Sequence, residues 1–453
     1  MHVLMTVVEE ERSIEEELLQ HDDLNDDSGC RITACVVLST LVSVCGSFSF
    51  GVAMAYTSAA EIEIMKDLGL SISQFSAFAS FNTLGSAIGA LFSAFAKDVM
   101  WLDLGRISSG IGLGLISYVV PVYIAEISPK HVRGTFNFSN QLLQSSGTAM
   151  VYFTGSFINW RTLALLGALP CIIQVIGLFF VPESPRWLAK VGTETELKNS
   201  LVRLRGRGAN ISREALEIQV VTKMVENDSG SSFSDLFQRK YRYTIVVGIG
   251  LMLVQQFSGS AAVISYASTI FRKSGFPVAV GSTVLGLYMV PKSMIGVILV
   301  DKWGRRPLLL TSAAGMSISS ILIGIAFTLQ KMQLLPEMTP TFTLLCILLY
   351  IGSFAIGLGG LPWIIMSEIF PINIKVTAGS IVTLVSFSSS SIVNYTFNFL
   401  FEWSTQGTFY IFGGIAGAAL LFLWFIVPET KGLSLEEIQA KLIYHQSVEI
   451  NQT

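Results

Sequence analysis

The chain has 453 residues, 51% of them apolar and only 13% charged, with a net charge of −3. So large an apolar share exceeds what a water-soluble core absorbs, which makes a bilayer the expected solvent, and the near-neutral charge excludes a nucleic-acid binder. The five cysteines (Cys30, Cys35, Cys45, Cys171, Cys346) are scattered without metal-ligand or disulfide spacing and read as packing residues, so no metal and no cofactor is expected.

A spanning helix needs about 20 mainly apolar residues. Roughly eleven such stretches follow an acidic N-terminal tail of residues 1–31. They lie near 32–56, 73–96, 101–124, 135–157, 161–181, 243–264, 280–300, 307–328, 342–366, 377–399 and 408–427. The first is too long, and too far from the start, to be a cleaved signal peptide. The expected fold class is therefore an all-α polytopic membrane protein.

Between the fifth and sixth stretches, residues 182–242 form a charged segment with eleven basic residues, from Arg186 to Arg242, and short helices are expected in it. By the positive-inside rule this linker faces the cytosol, and so does the short loop holding Lys302, Arg305 and Arg306. The linker divides the chain into an N-terminal bundle, 32–181, and a C-terminal six-helix bundle, 243–427, with a cytosolic tail at 428–453.

The two bundles repeat one another. "PVYIAEISPKHVRG" holds Glu126, Ile127, Pro129 and Arg133; "PWIIMSEIFPINIKVTAG" holds Glu368, Ile369, Pro371 and Lys375 at the same spacing. Each copy is followed by "VPE", with Glu183 57 residues after Glu126 and Glu429 61 residues after Glu368. Parallel repeats of this kind are the architecture of many secondary transporters. Acids and bases at neighbouring helix ends can form charge-assisted hydrogen bonds that close one face and break when the halves rock apart. Anchoring alone needs bases but no acids, so the expected cytosolic charge network comprises Arg106, Glu126, Arg133, Glu183, Arg186, Asp301, Arg305, Arg306, Glu368, Lys375 and Glu429.

Together, "DKWGRRP", "PESPRWL", "GRISSGIGLG", "QQFSG", "LPWIIMSEIFP" and "VPETKGLSLEEI" resemble the sugar porter family of the major facilitator superfamily. "AKDVMWLDLGR" and "VPKSMIGVILVDKWGRRP" are most similar to its plant group named for early response to dehydration. The resemblance implies a major facilitator fold of two pseudo-repeated bundles, with a central monosaccharide site between them. It points to Gln141, Gln255 and Gln256 as amides that hydrogen-bond sugar hydroxyls and to Trp363 as an aromatic face for the ring. An amide suits this work because it offers both donor and acceptor. At three further places where the family commonly carries asparagine, this chain has Ala261, Met289 and the pair Ser386 and Phe387, so an unusual saccharide selectivity is expected.

Proton-coupled members typically carry an aspartate in the first span, and "CVVLSTLVSVCGSFSFGVAMAY" has no acid. Facilitated diffusion is therefore the expected mechanism, with proton symport as the alternative. Lys292, in the middle of the eighth expected span, is a charge without an assigned partner and a candidate for coupling. "IEEELL" (14–19) resembles an acidic dileucine sorting signal, so the expected location is the vacuolar or the plasma membrane. The four histidines (His2, His21, His131, His445) all lie outside the spans and far apart, which argues against an enzyme. The expected partners are a small sugar and the lipid bilayer.

A family GRR loop occurs in both halves, but here only in the second. From Arg242 to Glu368 is 126 residues, whereas the equivalent stretch from Arg31 to Glu126 is 95. The shortfall of 31 residues corresponds to one crossing and a short loop, leaving about 11 spans instead of 12. A transport-impaired shortened isoform, or a non-transporting regulator, is thus a second functional expectation. The segment at 73–96 is the most polar of the expected spans, with Ser73, Gln74, Ser76, Ser80, Asn82 and Thr83, and is expected to fail to cross. Both termini then lie on one side. In sealed vesicles, tags at the two ends should be digested together by added protease; protection of one and loss of the other would show a flipped N-terminal tail.

Overall fold

Hydrocarbon offers the backbone no hydrogen-bond partners, so a chain of this composition must satisfy its own amides within helices. The computed structural model describes residues 33–68, 99–129, 133–155, 157–206, 211–228, 241–334, 336–370 and 374–429, and among them every regular element is a helix. In order these are α1 (Ala34–Leu68), α2 (Val99–Ile127), α3 (Arg133–Thr154), α4 (Trp160–Leu178), α5 (Pro185–Val191), α6 (Glu194–Arg205), α7 (Ile211–Asp228), α8 (Arg242–Phe257), α9 (Ser260–Ser265), α10 (Ala267–Ser274), α11 (Val278–Lys302), α12 (Arg305–Lys331), α13 (Thr339–Ile356), α14 (Leu361–Ile369), α15 (Lys375–Trp403) and α16 (Thr405–Ile426). The stretch expected to span at 73–96 lies outside the described residues.

Eight of the described segments are long and apolar enough to cross a membrane. Two more, α3 and α15, are long enough to cross, at about 33 and 43 Å, but carry more polar residues. In the first set, α1 packs against α2, α3 and α4. In the second, α12 packs against α13 and α16, and α8 against α15 and α16. The three linker helices α5, α6 and α7 pack on one another.

Two spans expected to be continuous are broken. Residues 243–264 are helical only to Phe257; Gly259 then takes φ 91°, a left-handed backbone open to glycine, before α9 begins. A side chain at this position would also meet the Phe412 ring, 2.6 Å from an added Cβ. Residues 342–366 stop at Ile356 and restart at Leu361, with four residues between, because Pro362 at the start of α14 has no N–H to continue the ladder. The apolar periodicity runs straight through both breaks, so it cannot show them.

Small residues set the closest approach between helices, as expected where lipid supplies no hydrophobic drive for helix association. A Cβ on Gly51 of α1 would overlap the Gln144 carbonyl oxygen of α3, and a Cβ on Gly147 would overlap the Phe48 carbonyl oxygen. The two backbones therefore touch. The core of the second set contains an aromatic stack: Phe397 stacks on Tyr266 at 5.0 Å and on Phe401 at 5.2 Å between ring centres. At the end of the first set remote from the linker, Asp67 accepts from the Trp160 indole at 3.0 Å and pairs with Arg161 at 3.2 Å.

Gly51→Val or Gly147→Val should therefore force α1 from α3 and cost about 3 kcal/mol or more, seen as a large fall in the thermal midpoint of the detergent-purified protein. Gly379→Ala is the control, because nothing stands within 4 Å of its added Cβ; its midpoint should hold or rise.

Candidate functional site

The break between α13 and α14 organises the centre of the second set. A helix that stops inside a membrane leaves carbonyls without amide partners. Gln255, on α8 and only 4% exposed, donates its amide N–H to the carbonyls of Leu358 at 2.6 Å and Gly359 at 3.3 Å. Its remaining oxygen accepts from the Gln256 amide at 3.4 Å, and Gln256 also donates to the Ser386 hydroxyl of α15 at 3.0 Å. Ser312, on α12, donates to the Ser353 carbonyl at 2.7 Å and accepts from the Leu358 N–H at 3.0 Å. Trp363 begins the restarted helix and is 40% exposed. The structure thus gathers Gln255, Gln256, Ser386 and the broken helix of Trp363 at one level of the molecule. Within that group Gln255 is spent on the protein's own backbone, whereas Gln256 and Trp363 keep exposed surface.

The facing surface comes from α3. Ser145 shares a 2.5 Å hydrogen bond with Ser293 of α11, and Gly286 of α11 would bring a Cβ within 2.9 Å of the Ala149 carbonyl oxygen. Further from the linker, Tyr152 donates to the Ile264 carbonyl at 2.6 Å, and the Ser58 and Ser268 hydroxyls lie 2.9 Å apart. These polar contacts join the two sets from mid-span to the face remote from the linker. One turn from Ser145, toward the linker, Gln141 is exposed.

Among the described side chains of the expected charge network, several bond to helix ends. Glu429 accepts from the backbone N–H groups of Arg305 at 2.9 Å and Arg306 at 3.1 Å, capping the N-terminus of α12, where a carboxylate meets the positive end of the helix dipole. The Arg306 guanidinium donates to the Trp424 carbonyl and lies 5.3 Å over the Trp424 ring. Glu126 accepts from the Ser184 hydroxyl. Glu183, which the repeat equates with Glu429, is exposed, and so is Arg186. Here the repeat is instructive: Glu429 caps the helix after the GRR loop, and the first half has no such loop to offer Glu183. The side chains of Arg106, Arg133, Asp301, Glu368 and Lys375 lie outside the described residues.

The linker holds a buried arginine, paired with a half-buried glutamate, that sequence reasoning misses. Arg205, 6% exposed, binds both oxygens of Glu214 at 2.8 to 3.1 Å and donates to the Ile127 carbonyl at 2.6 Å, capping the C-terminus of α2. Thr33 donates to the Leu204 carbonyl at 2.7 Å and Tyr123 to the Pro182 carbonyl at 2.7 Å, so the linker is fastened to the first set. A signal was available, since Arg205 continues the i, i+4 row of Leu197 and Leu201 and so falls on the apolar face of α6. At the other end of α6, Thr193 and Glu196 form a capping box, and the Thr193 backbone N–H holds the Glu196 carboxyl below its usual range. A cavity of about 340 Å³ at the opposite face, lined by Lys273, Lys331, Glu402 and Trp403 among others, lies away from the amide cluster.

Two helix bundles in contact toward one face, with a broken helix in the second whose freed carbonyls are met by the Gln255 amide, define a membrane transporter of the major facilitator type. Residues 5–442 match the family described as "Sugar (and other) transporter", and the chain belongs to that family. It is 75% identical over 470 aligned positions to Sugar transporter ERD6-like 18 of Arabidopsis thaliana, covering 98% of each chain. It is 73% identical over 474 positions to Sugar transporter ERD6-like 17 of the same plant, covering 99% of this chain and 100% of that one. Since 474 aligned positions exceed the 453 residues of this chain, that relative carries at least 21 residues within the alignment that are absent here. Among solved structures, the inward open xylose transporter XylE from E. coli superposes with a TM-score of 0.75 at 26% identity, covering 89% of this chain and 99% of that one. XylE bound to 6-bromo-6-deoxy-D-glucose gives 0.71 at 26% identity, covering 91% and 100%. The protein is a transporter and not an enzyme.

If Gln255 positions the break, Gln255→Met, which keeps the volume but removes the donor, should leave two carbonyls unpaired. The expected cost is about 1–3 kcal/mol, read as a lowered thermal midpoint. An unchanged midpoint would mean that the amide is free for other work.

Proposed function

We propose that this chain moves monosaccharides across a membrane by alternating access, by facilitated diffusion. One observation carries the reading: the two sets of helices touch from mid-span to the face remote from the linker, while Gln141, one turn from Ser145 toward the linker on the same face of α3, is exposed. A cleft opening on the linker side with amides from both sets is what a hydroxyl-rich solute requires. The likeness to an inward open transporter supports this, and the eleven bases of residues 182–242 support a cytosolic linker. In this reading Gln141, Gln256 and Trp363 meet the sugar, Gln255 shapes the site through the break, and the capped helix ends of the linker face form the gate.

Proton symport is the second reading, because a structural relative is described as a proton:xylose symporter. Against it, the spanning part of α1, Ala34–Ala60, contains no acid that could carry a proton. The acidic dileucine string supports a vacuolar membrane over the plasma membrane. The 31-residue shortfall in the repeat spacing supports a further reading, a shortened isoform with impaired transport.

Purified protein in liposomes tests the proposal directly: D-glucose or D-xylose should enter down its gradient, and no pH gradient should be needed. With the native cysteines replaced, the pair Ser58→Cys and Ser268→Cys, whose oxygens are 2.9 Å apart, should form a disulfide under mild oxidation that stops uptake. Reduction should restore it. Full transport with the disulfide in place would show that this face never opens.

A further inference from the structure

The most unusual charge in the second set is Lys292. It lies in the middle part of the 25-residue α11 and is only 9% exposed. Among the described residues it makes no hydrogen bond or ion pair. The acids of the second set, Asp301, Glu337, Glu368, Glu402 and Glu429, all stand at helix ends or in loops, none at mid-span. An ammonium held this way costs several kcal/mol unless something supplies the opposite charge.

Its surroundings ease that cost without removing it. A Cβ on Gly352 of α13 would overlap the Tyr288 hydroxyl, and one on Gly296 would meet the Ala355 carbonyl oxygen at 2.5 Å. Tyr288, Lys292 and Gly296 form one i, i+4, i+8 row, so Lys292 stands against the last turn of α13, where the helix dipole presents about half a negative charge. Half a charge does not balance an ammonium. On the next row, about 60° round α11, lies Met289, where the family resemblance implies an amide for sugar. Ser293, the residue after Lys292, makes the contact to Ser145 one turn above Gln141. Around this point the chain has Ala261, Met289, Ser386 and Phe387 in place of amides, and Gln255 is occupied by the helix break. Partners for neutral hydroxyls are few, and one unbalanced cation stands beside them.

We propose that Lys292 selects monosaccharides bearing a carboxylate, the hexuronate class, by giving the substrate anion an ammonium that no described residue pairs. A single ammonium matches a carboxylate monoanion, whereas a sugar phosphate dianion would call for more than one cation. This inference rests on the sugar-transport reading above and adds the charge of the substrate to it.

The test uses the full chain in proteoliposomes, with radiolabelled D-glucuronate and D-glucose measured in the same vesicles. D-glucuronate should enter saturably. The ratio of D-glucuronate to D-glucose uptake should fall about tenfold or more in Lys292→Gln and recover in Lys292→Arg, which keeps the charge and whose thermal midpoint reports folding. Wild-type vesicles that take up D-glucose but exclude D-glucuronate overturn the inference and leave the transport reading standing, as does an unchanged ratio in Lys292→Gln. Uptake of neither sugar overturns both.

Discussion

A helix that ends halfway through a membrane exposes carbonyl groups to surroundings that cannot hydrogen-bond them, and the architecture of the second bundle follows from how that demand is met. Gln255 supplies its amide N–H to Leu358 and Gly359, and Ser312 ties the end of α13 to the same turn. With these groups satisfied, the chain restarts as α14, on which Trp363 is exposed. The break is therefore both a solved hydrogen-bond problem and the element that shapes the centre.

The contact between the halves obeys a second constraint. Lipid gives helices little reason to associate, so close packing and hydroxyl pairs carry the association. Glycine lets α1 and α3 touch backbone to backbone. Across the halves, the hydrogen bonds among the described residues include serine hydroxyl pairs and one tyrosine to a carbonyl. Such bonds are individually modest, about 1 kcal/mol each, so the interface can part and re-form during a cycle. The linker, by contrast, is secured to the first set by Arg205, whose guanidinium is buried and engaged with both Glu214 and the end of α2.

Two of the four repeated acids, Glu126 and Glu429, bond at helix ends. Glu429 caps α12 directly, and Glu126 holds Ser184. Glu183, the counterpart of Glu429 in the repeat, is exposed, and the first half carries no GRR sequence. The relatives support a loss within the chain, since at least 21 of the residues aligned in one of them have no equivalent here.

By itself, the sequence determined the class of fold, the order of most spans, the family and the repeat that relates the halves. These depend on composition, period and spacing, which are local and survive in a linear reading. Gln255, Gln256 and Trp363 could also be singled out there, because amides and an aromatic ring are conspicuous in apolar helices. Only the tertiary structure decided which amide is already committed: whether Gln255 faces a ligand or a backbone carbonyl depends on where a helix more than a hundred residues away happens to stop. The same holds for Arg205 and for Lys292, which no described residue pairs. A buried group's role is set by what stands opposite it, and the residues opposite come from distant parts of the chain.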